Sequence, residues 1–308
     1  MLAIIAPGQG SQTPGFLTPW LEEPQLRDRL ESWSDSIGLD LLHLGTAAGA
    51  EEIRATANAQ PLIVSAGLIA MNSLGSINFS VTAGHSVGEI TAAGIAGVLS
   101  DYDAMTLVCE RGSAMAVAAA QSPTGMSAVL GGERENVLAV IASLGLIPAN
   151  ENGAGQIVAA GDLEALAKLS ENPPTGARVR SLAVAGAFHT PVMQPAVGHL
   201  KEFAARLAVN DPSVAVISNR DGERVSAGRA VLDRIVNQIA NPVRWDLCMQ
   251  TLGDLGVSAV LELPPAGTLV GLIKRALPNV ETVALKTPDD LDAAADLIAR
   301  HSESVGAP

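Results

Sequence analysis

Ser86 lies in Gly84-His85-Ser86-Val87-Gly88, where two glycines allow a sharp turn and the serine hydroxyl could serve as a nucleophile. An apolar run, Ile77–Ala83, precedes it, and a small-residue helical pattern, Glu89–Leu99, follows. Strand, tight turn and helix in that order are the setting in which a G-x-S-x-G serine stands exposed at the end of a sheet. The start of such a helix also offers unpaired N–H groups to a developing negative charge. The bare pattern is weak on its own, and its context strengthens it.

A serine nucleophile needs a base, and the sequence has five histidines. His85 adjoins Ser86 on the turn, so its side chain is expected to point away and to be structural. His43 reads as part of a polar loop, His199 falls on a helix and His301 lies in the tail. His189, in Gly186-Ala187-Phe188-His189-Thr190-Pro191, sits on a small-residue turn between a strand and a helix, where α/β folds place catalytic groups. It is the base candidate by elimination.

Pro7-Gly8-Gln9-Gly10-Ser11-Gln12 follows the first strand directly. It could cradle a phosphate, but the dinucleotide fingerprint requires glycine where Thr13 stands. It could equally present a backbone N–H as one wall of an oxyanion hole, or be a plain turn. Arg111, in an otherwise apolar helix, needs a carboxylate partner. Glu110 or Glu89 could supply it, or Arg111 could clamp the carboxylate of a substrate.

The elements that must position these residues alternate between strand and helix, which predicts an α/β fold with a largely parallel sheet. Leu2–Ala6, Asn78–Ala83, Val214–Ser218, Ala259–Leu263 and Val280–Leu285 read as strands of the main body. Pro61–Leu74, Glu89–Leu99, Tyr102–Ala120, Val192–Leu207 and Thr268–Leu277 read as its helices. The middle differs: strand Met126–Leu130, helix Glu133–Leu144, strands Ile147–Asn150 and Gln156–Ala160, helix Leu163–Leu169 and strand Arg178–Val184 give a βαββαβ order. That is a ferredoxin-like unit. Residues 123–184 are therefore expected to be an inserted small subdomain, with 1–122 and 185–308 forming one large α/β-hydrolase-like subdomain.

Bulk properties bound the function. The chain has 308 residues, 48% hydrophobic and 17% charged, which describes a packed globular protein. A net charge of −13 argues against nucleic-acid and anionic-membrane partners. Met1–Ala6 lacks a basic leader and reads as a buried strand. Ala55–Gly88 holds no charged residue, yet its Asn, Gln and Pro residues favour a buried core helix over a membrane span. Cys109 and Cys248 have no metal or disulfide spacing and read as buried free thiols in a reducing compartment, so the protein is expected to be cytoplasmic. The tail from His301 to Pro308 is expected to fray.

Taken together, Gly8-Gln9-Gly10-Ser11-Gln12, Gly84-His85-Ser86-Val87-Gly88-Glu89, Arg111-Gly112, Asn152 with Gln156-Ile157-Val158, Ala187-Phe188-His189-Thr190 and Gln238 with Asn241-Pro242-Val243-Arg244-Trp245 resemble the malonyl-CoA:acyl-carrier-protein transacylases. The resemblance spans nearly the whole chain, and segments such as Ser218-Asn219-Arg220-Asp221-Gly222 are most like the actinobacterial form. It implies Ser86 as nucleophile and His189 as base, the latter oriented by the main-chain carbonyl of Gln238. It further implies an oxyanion hole from the N–H groups of Gln9 and Val87, and Arg111 as the malonyl-carboxylate ligand. Asn152 would lie on a loop near the site, and Phe188 would crowd the C2 position against methylmalonyl. Val87 stands where many members have leucine. The implied partners are malonyl-CoA and holo acyl carrier protein, with no metal or bound cofactor, in fatty-acid synthesis. Lys274, Arg275, Arg178 and Arg180 are candidates to meet the carrier protein despite the net acidity.

Two other readings compete. A serine esterase shares the turn and histidine and orders Ser, Asp or Glu, then His along the chain; Asp162 fits that order but also reads as a helix N-cap. A non-catalytic docking module is the other, and it has no need of Ser86, His189, Arg111 and Gln9 together.

Overall fold

The computed structural model describes residues 1–302. In chain order its strands are β1 (Leu2–Ala6), β2 (Val81–Gly84), β3 (Thr124–Gly131), β4 (Ile147–Gly153), β5 (Gln156–Asp162) and β6 (Ala177–Ser181). They continue with β7 (Ala215–Ile217), β8 (Arg224–Val225), β9 (Val243–Arg244), β10 (Ala259–Glu262) and β11 (Glu281–Ala284). Two sheets result. The larger runs β11-β10-β1-β2-β7-β8 and is parallel from β11 to β7, with β8 antiparallel at the edge.

Every residue of β1, β2 and β10 is buried, because helices cover both faces of a parallel sheet. These strands therefore read as unbroken apolar runs. Helices Thr56–Leu74 and Asp101–Ala119 pack together on one face, and Trp245–Asp254 with Thr268–Ala276 lie in the core of the other.

The smaller sheet runs β6-β3-β5-β4-β9. Its first four strands are mutually antiparallel in the order expected of a ferredoxin-like unit, and all lie between Thr124 and Ser181. The fifth, β9, belongs to the segment assigned from sequence to the large body. It pairs in parallel with β4, Asn150 opposite Val243 and Glu151 opposite Arg244. Helices Arg134–Ser143 and Leu163–Glu171 bury Val137, Ile141, Leu166 and Leu169 against this sheet. Asp162 caps the second, its Oδ1 accepting the N–H groups of Glu164 (2.8 Å) and Ala165 (3.2 Å).

Several boundaries differ from the expected ones. The charge-free stretch becomes helix Thr56–Leu74, which starts well before Pro61 and holds that proline in its second turn. Apolar packing along its length offsets the one missing hydrogen bond. Among the described residues no helix is long and apolar enough to cross a membrane. β2 begins at Val81 and not Asn78, and β6 ends at Ser181, before Val184. The helix expected from Val192 opens as a 3₁₀ turn, Pro191–Met193, and is regular only over Gln194–Ala204.

His43 is in no loop. It lies in helix Leu41–Thr46, capped by Asp40, and faces Glu52. His301 does not fray either: it ends helix Leu291–His301, with Nδ1 2.9 Å from Ser258 Oγ and Nε2 3.0 Å from Glu281. The rest of the tail, 303–308, lies outside the described residues. Cys248 is buried and Cys109 only half-buried, both as free thiols.

Candidate active site

The turn after β2 carries Ser86 at φ +53°, a left-handed conformation that costs a non-glycine residue free energy and is held by its surroundings. Both flanking glycines are required by close approach. A Cβ on Gly84 would overlap the Gly88 carbonyl carbon, and one on Gly88 would overlap the Ala6 carbonyl oxygen. Ser86 N–H donates to Asn219 Oδ1 (2.8 Å), and Asn219 Nδ2 returns to Gly84 O (2.7 Å), so the asparagine side chain braces the turn from beneath.

His189 also has a left-handed backbone, φ +60°, and its N–H donates to Ile239 O. This swings the imidazole towards Ser86: Oγ and Nε2 are 2.7 Å apart. On the far side Nδ1 lies 2.9 Å from the Gln238 main-chain oxygen. A carbonyl can only accept, so Nδ1 carries the proton and Nε2 holds a lone pair facing the serine hydroxyl. Burial, followed by the charge of Arg111, lowers the His189 pKa to about 3, so the ring is neutral and able to take a proton at neutral pH. The group orienting the histidine is a backbone carbonyl; Asp162, occupied with its cap, does not fill the acidic place an esterase triad requires.

Arg111 is fully buried, and neither carboxylate proposed from sequence pairs with it directly. Glu110 turns outward to His199 Nε2 (2.7 Å), and Glu89 stands one residue removed. Instead Arg111 Nη1 donates to Gln60 Oε1 (2.5 Å) and Nη2 to Gln238 Oε1 (2.9 Å). Nη2 also lies 3.4 Å from Ser86 Oγ, while Nε has no hydrogen-bond partner among the described residues. Burial lowers its pKa to about 10, opposed by the charge of Glu89, and it remains a cation at neutral pH. A guanidinium with unspent donors beside a nucleophile can hold a carboxylate.

The N–H groups of Gln9 and Val87 donate to no oxygen among the described residues, whereas the two that follow Val87 are bonded, Gly88 N–H to His85 O (2.9 Å) and Glu89 N–H to Ser86 O (3.0 Å). The Gln9 loop is tied down on its other sides. Gln9 Nε2 donates to Arg54 O, Gln12 Nε2 to Ile53 O, and Ser11 Oγ meets Thr268 Oγ1 at 2.8 Å.

Gln9, Ser86, Arg111 and His189 open onto one cavity of about 260 Å³ between the two sheets. Phe188 lines it beside the histidine, and Asn152 lines it from β4. Asn152 Oδ1 accepts from His85 Nε2 (2.8 Å), so His85 does point away from Ser86; it stands edge-on to Trp245, with burial lowering its pKa. Gln60 and Asn219 are given no site role from sequence, and Glu89 is read there only as a possible partner of Arg111. The available signals are a glutamine in a charge-free helix and a glutamate three residues after the serine in a small-residue one.

The chain matches the model of the acyl transferase domain family over residues 4–293. It is 52% identical over 302 residues to the malonyl CoA-acyl carrier protein transacylase of Mycobacterium tuberculosis, covering 96% of this chain and 100% of that one. A crystal structure of MCAT from Mycobacterium tuberculosis superimposes with a TM-score of 0.92, covering 96% of this chain and 99% of the other. A complex of a type II PKS acyl-carrier protein with its malonyl-transacylase matches with a TM-score of 0.89 at 29% identity, over 96% of this chain and 99% of that one.

Proposed function

The chain belongs to the acyl transferase domain family, among the malonyl CoA-acyl carrier protein transacylases, and from that premise we propose that it moves malonyl from coenzyme A to the phosphopantetheine thiol of acyl carrier protein. The observation that carries the malonyl assignment is the buried Arg111 guanidinium 3.4 Å from Ser86 Oγ. The free carboxylate of a malonyl group sits two carbons from the carbonyl under attack, within reach of that cation.

Ser86 Oγ attacks the thioester carbonyl carbon as its proton passes to His189 Nε2. The carbonyl oxygen becomes an oxyanion facing the N–H groups of Gln9 and Val87, each such donor contributing about 3 kcal/mol to the transition state. The intermediate collapses, coenzyme A leaves as a thiol carrying the proton from Nε2, and malonyl remains esterified to Ser86. The phosphopantetheine thiol then enters the same cavity. It gives its proton to Nε2, attacks the ester and releases Ser86, which regains the proton. Two half-reactions through one covalent intermediate give ping-pong kinetics. This chemistry calls for no metal or bound cofactor.

Phe188, which lines the cavity beside His189, would crowd C2 of the acyl group, and Asn152, bonded to His85, would hold the small subdomain against the Ser86 turn. Lys274 and Arg275, exposed at the end of helix Thr268–Ala276, and Arg178 and Arg180 on β6 are candidate contacts for the carrier protein. The product supplies extender units for fatty-acid synthesis in the cytoplasm, a compartment that suits the two free thiols.

The test is intact-protein mass after mixing with malonyl-CoA, followed by holo acyl carrier protein. A malonyl adduct that Ser86→Ala abolishes and that moves to the carrier protein is expected. An adduct that only hydrolyses would point to an esterase, and no adduct at all to a non-catalytic module.

A further inference from the structure

We infer that Glu89 is a positioning residue for the malonyl group: it fixes the orientation of the Gln238 side-chain amide and through it the aim of the Arg111 guanidinium. The inference rests on the reading of Arg111 as the malonyl ligand.

Glu89 is buried in helix Gly88–Ile95 behind the nucleophile and does not line the cavity. Its Oε1 accepts the Asn219 N–H (2.6 Å), and its Oε2 accepts from Gln238 Nε2 (2.5 Å). That nitrogen is also within 3.1 Å of Ser86 O and 3.0 Å of Asn219 Oδ1, so each of these three partners is an acceptor. At the other end of the same amide, Gln238 Oε1 accepts from Arg111 Nη2 (2.9 Å). Burial raises the Glu89 pKa to about 7, yet each of its oxygens faces an N–H donor, the arrangement that suits the ionised group; in that form it offers only acceptors, as a guanidinium offers only donors. An amide caught between them has one satisfied orientation, since turning it over sets nitrogen against the guanidinium and oxygen against the carboxylate.

The amide spacer settles a conflict in the site. A carboxylate paired directly with Arg111 would neutralise it and fill the fork the substrate needs. With no countercharge at all, burial would work against the cation. Glu89, one amide away, supports the charge without occupying the fork, and Gln60 Oε1 holds the Nη1 side as a second neutral acceptor. Glu89 thus serves two separable arms: one to the Ser86 turn through Asn219, one to Arg111 through Gln238.

The separation makes the role testable. The rates of Ser86 acylation by malonyl-CoA and by acetyl-CoA, which has no carboxylate for Arg111, are compared in the wild type, Glu89→Gln, Gln238→Met and the double variant. Gln238→Met removes the amide while keeping the main-chain carbonyl that holds His189 and the Glu89–Asn219 contact. Each single substitution is expected to lower the malonyl-to-acetyl rate ratio by about 10- to 100-fold, the worth of one charge-assisted hydrogen bond. The double variant should fall no further than the worse single, because both cut the same relay.

A ratio unmoved by Glu89→Gln while both rates fall would overturn the inference, leaving Glu89 as a support of the turn alone. So would single losses that multiply in the double variant. Should Glu89→Gln fail to fold, Gln238→Met decides by itself, an unchanged ratio refuting the relay. Wild-type protein that takes acetyl and refuses malonyl would instead overturn the proposed function, and this role with it.

Discussion

Gly8→Ala tests whether the Gln9 loop is a working part of the site or a plain turn. A methyl on Gly8 would lie 2.9 Å from His85 Nδ1 and 3.0 Å from His85 O, where ordinary contact begins at 3.4 Å. The loop must therefore retreat from the Ser86 turn by about 0.5 Å, the limit of what a catalytic site absorbs, because His85 cannot yield: its ring is held by Asn152 (2.8 Å) and packed on Trp245, and its oxygen is part of the turn. A catalytic constellation tolerates about 0.5 Å of error, and losing one oxyanion donor costs about 10²- to 10³-fold. Acylation by malonyl-CoA, measured in a single turnover by rapid quench and intact mass, should slow by about 30- to 100-fold. Stability should change little, since Gly8 has no left-handed φ and alanine restricts the unfolded chain. The urea midpoint should therefore move by less than the equivalent of about 1 kcal/mol. Acylation within about threefold of wild type, or a rate loss matched by unfolding, would refute an oxyanion role for this loop.

Arg111→Ala should reduce malonyl transfer at least about 100-fold, the cost of one charged, hydrogen-bonded contact, while acetyl transfer holds or rises; unchanged selectivity in competition between the two thioesters would exclude the clamp. For His189 the pH dependence of stability has a definite sign. The unfolded chain binds a proton at His189 below about pH 6.5, whereas the fold refuses it until about 3, so stability falls as pH drops through that window. Relative to His189→Gln, the wild type should lose about 2 kcal/mol between about pH 7.5 and 5.0 in urea unfolding, and parallel curves would mean the ring is not buried as a neutral group.

The large sheet is legible because its central strands are buried on both faces and so appear as short apolar runs, as β1 does at Leu2–Ala6. Ser86 and His189 can be read from a turn signature and from elimination among few histidines, and the fold sets them 2.7 Å apart. Helix Leu41–Thr46 is hidden by its brevity, and its one cap at Asp40 is too slight a signal to lift His43 out of an apparent loop. β9 is two residues long and has no periodicity to detect, so its pairing across to β4 leaves no trace in the sequence. The surroundings of Arg111 are misleading for another reason. A buried arginine suggests a carboxylate, and sequence spacing cannot reveal that amides 51 and 127 residues away converge on it first.

Because β9 crosses over to extend the small sheet, residues 123–184 are not a cassette. A chimera cut at those points would bring a foreign β4 to meet a resident β9, and the junction would fall at Asn150–Val243 and Glu151–Arg244. It would also separate Arg244 from the native Glu151, 3.5 Å away, and His85 from its native Asn152. Recombination that trades the lid of the cavity between relatives must then carry the 243–246 stretch along with it. Two pieces of chain remote in sequence are bound to a common inheritance, and each constrains what the other can become.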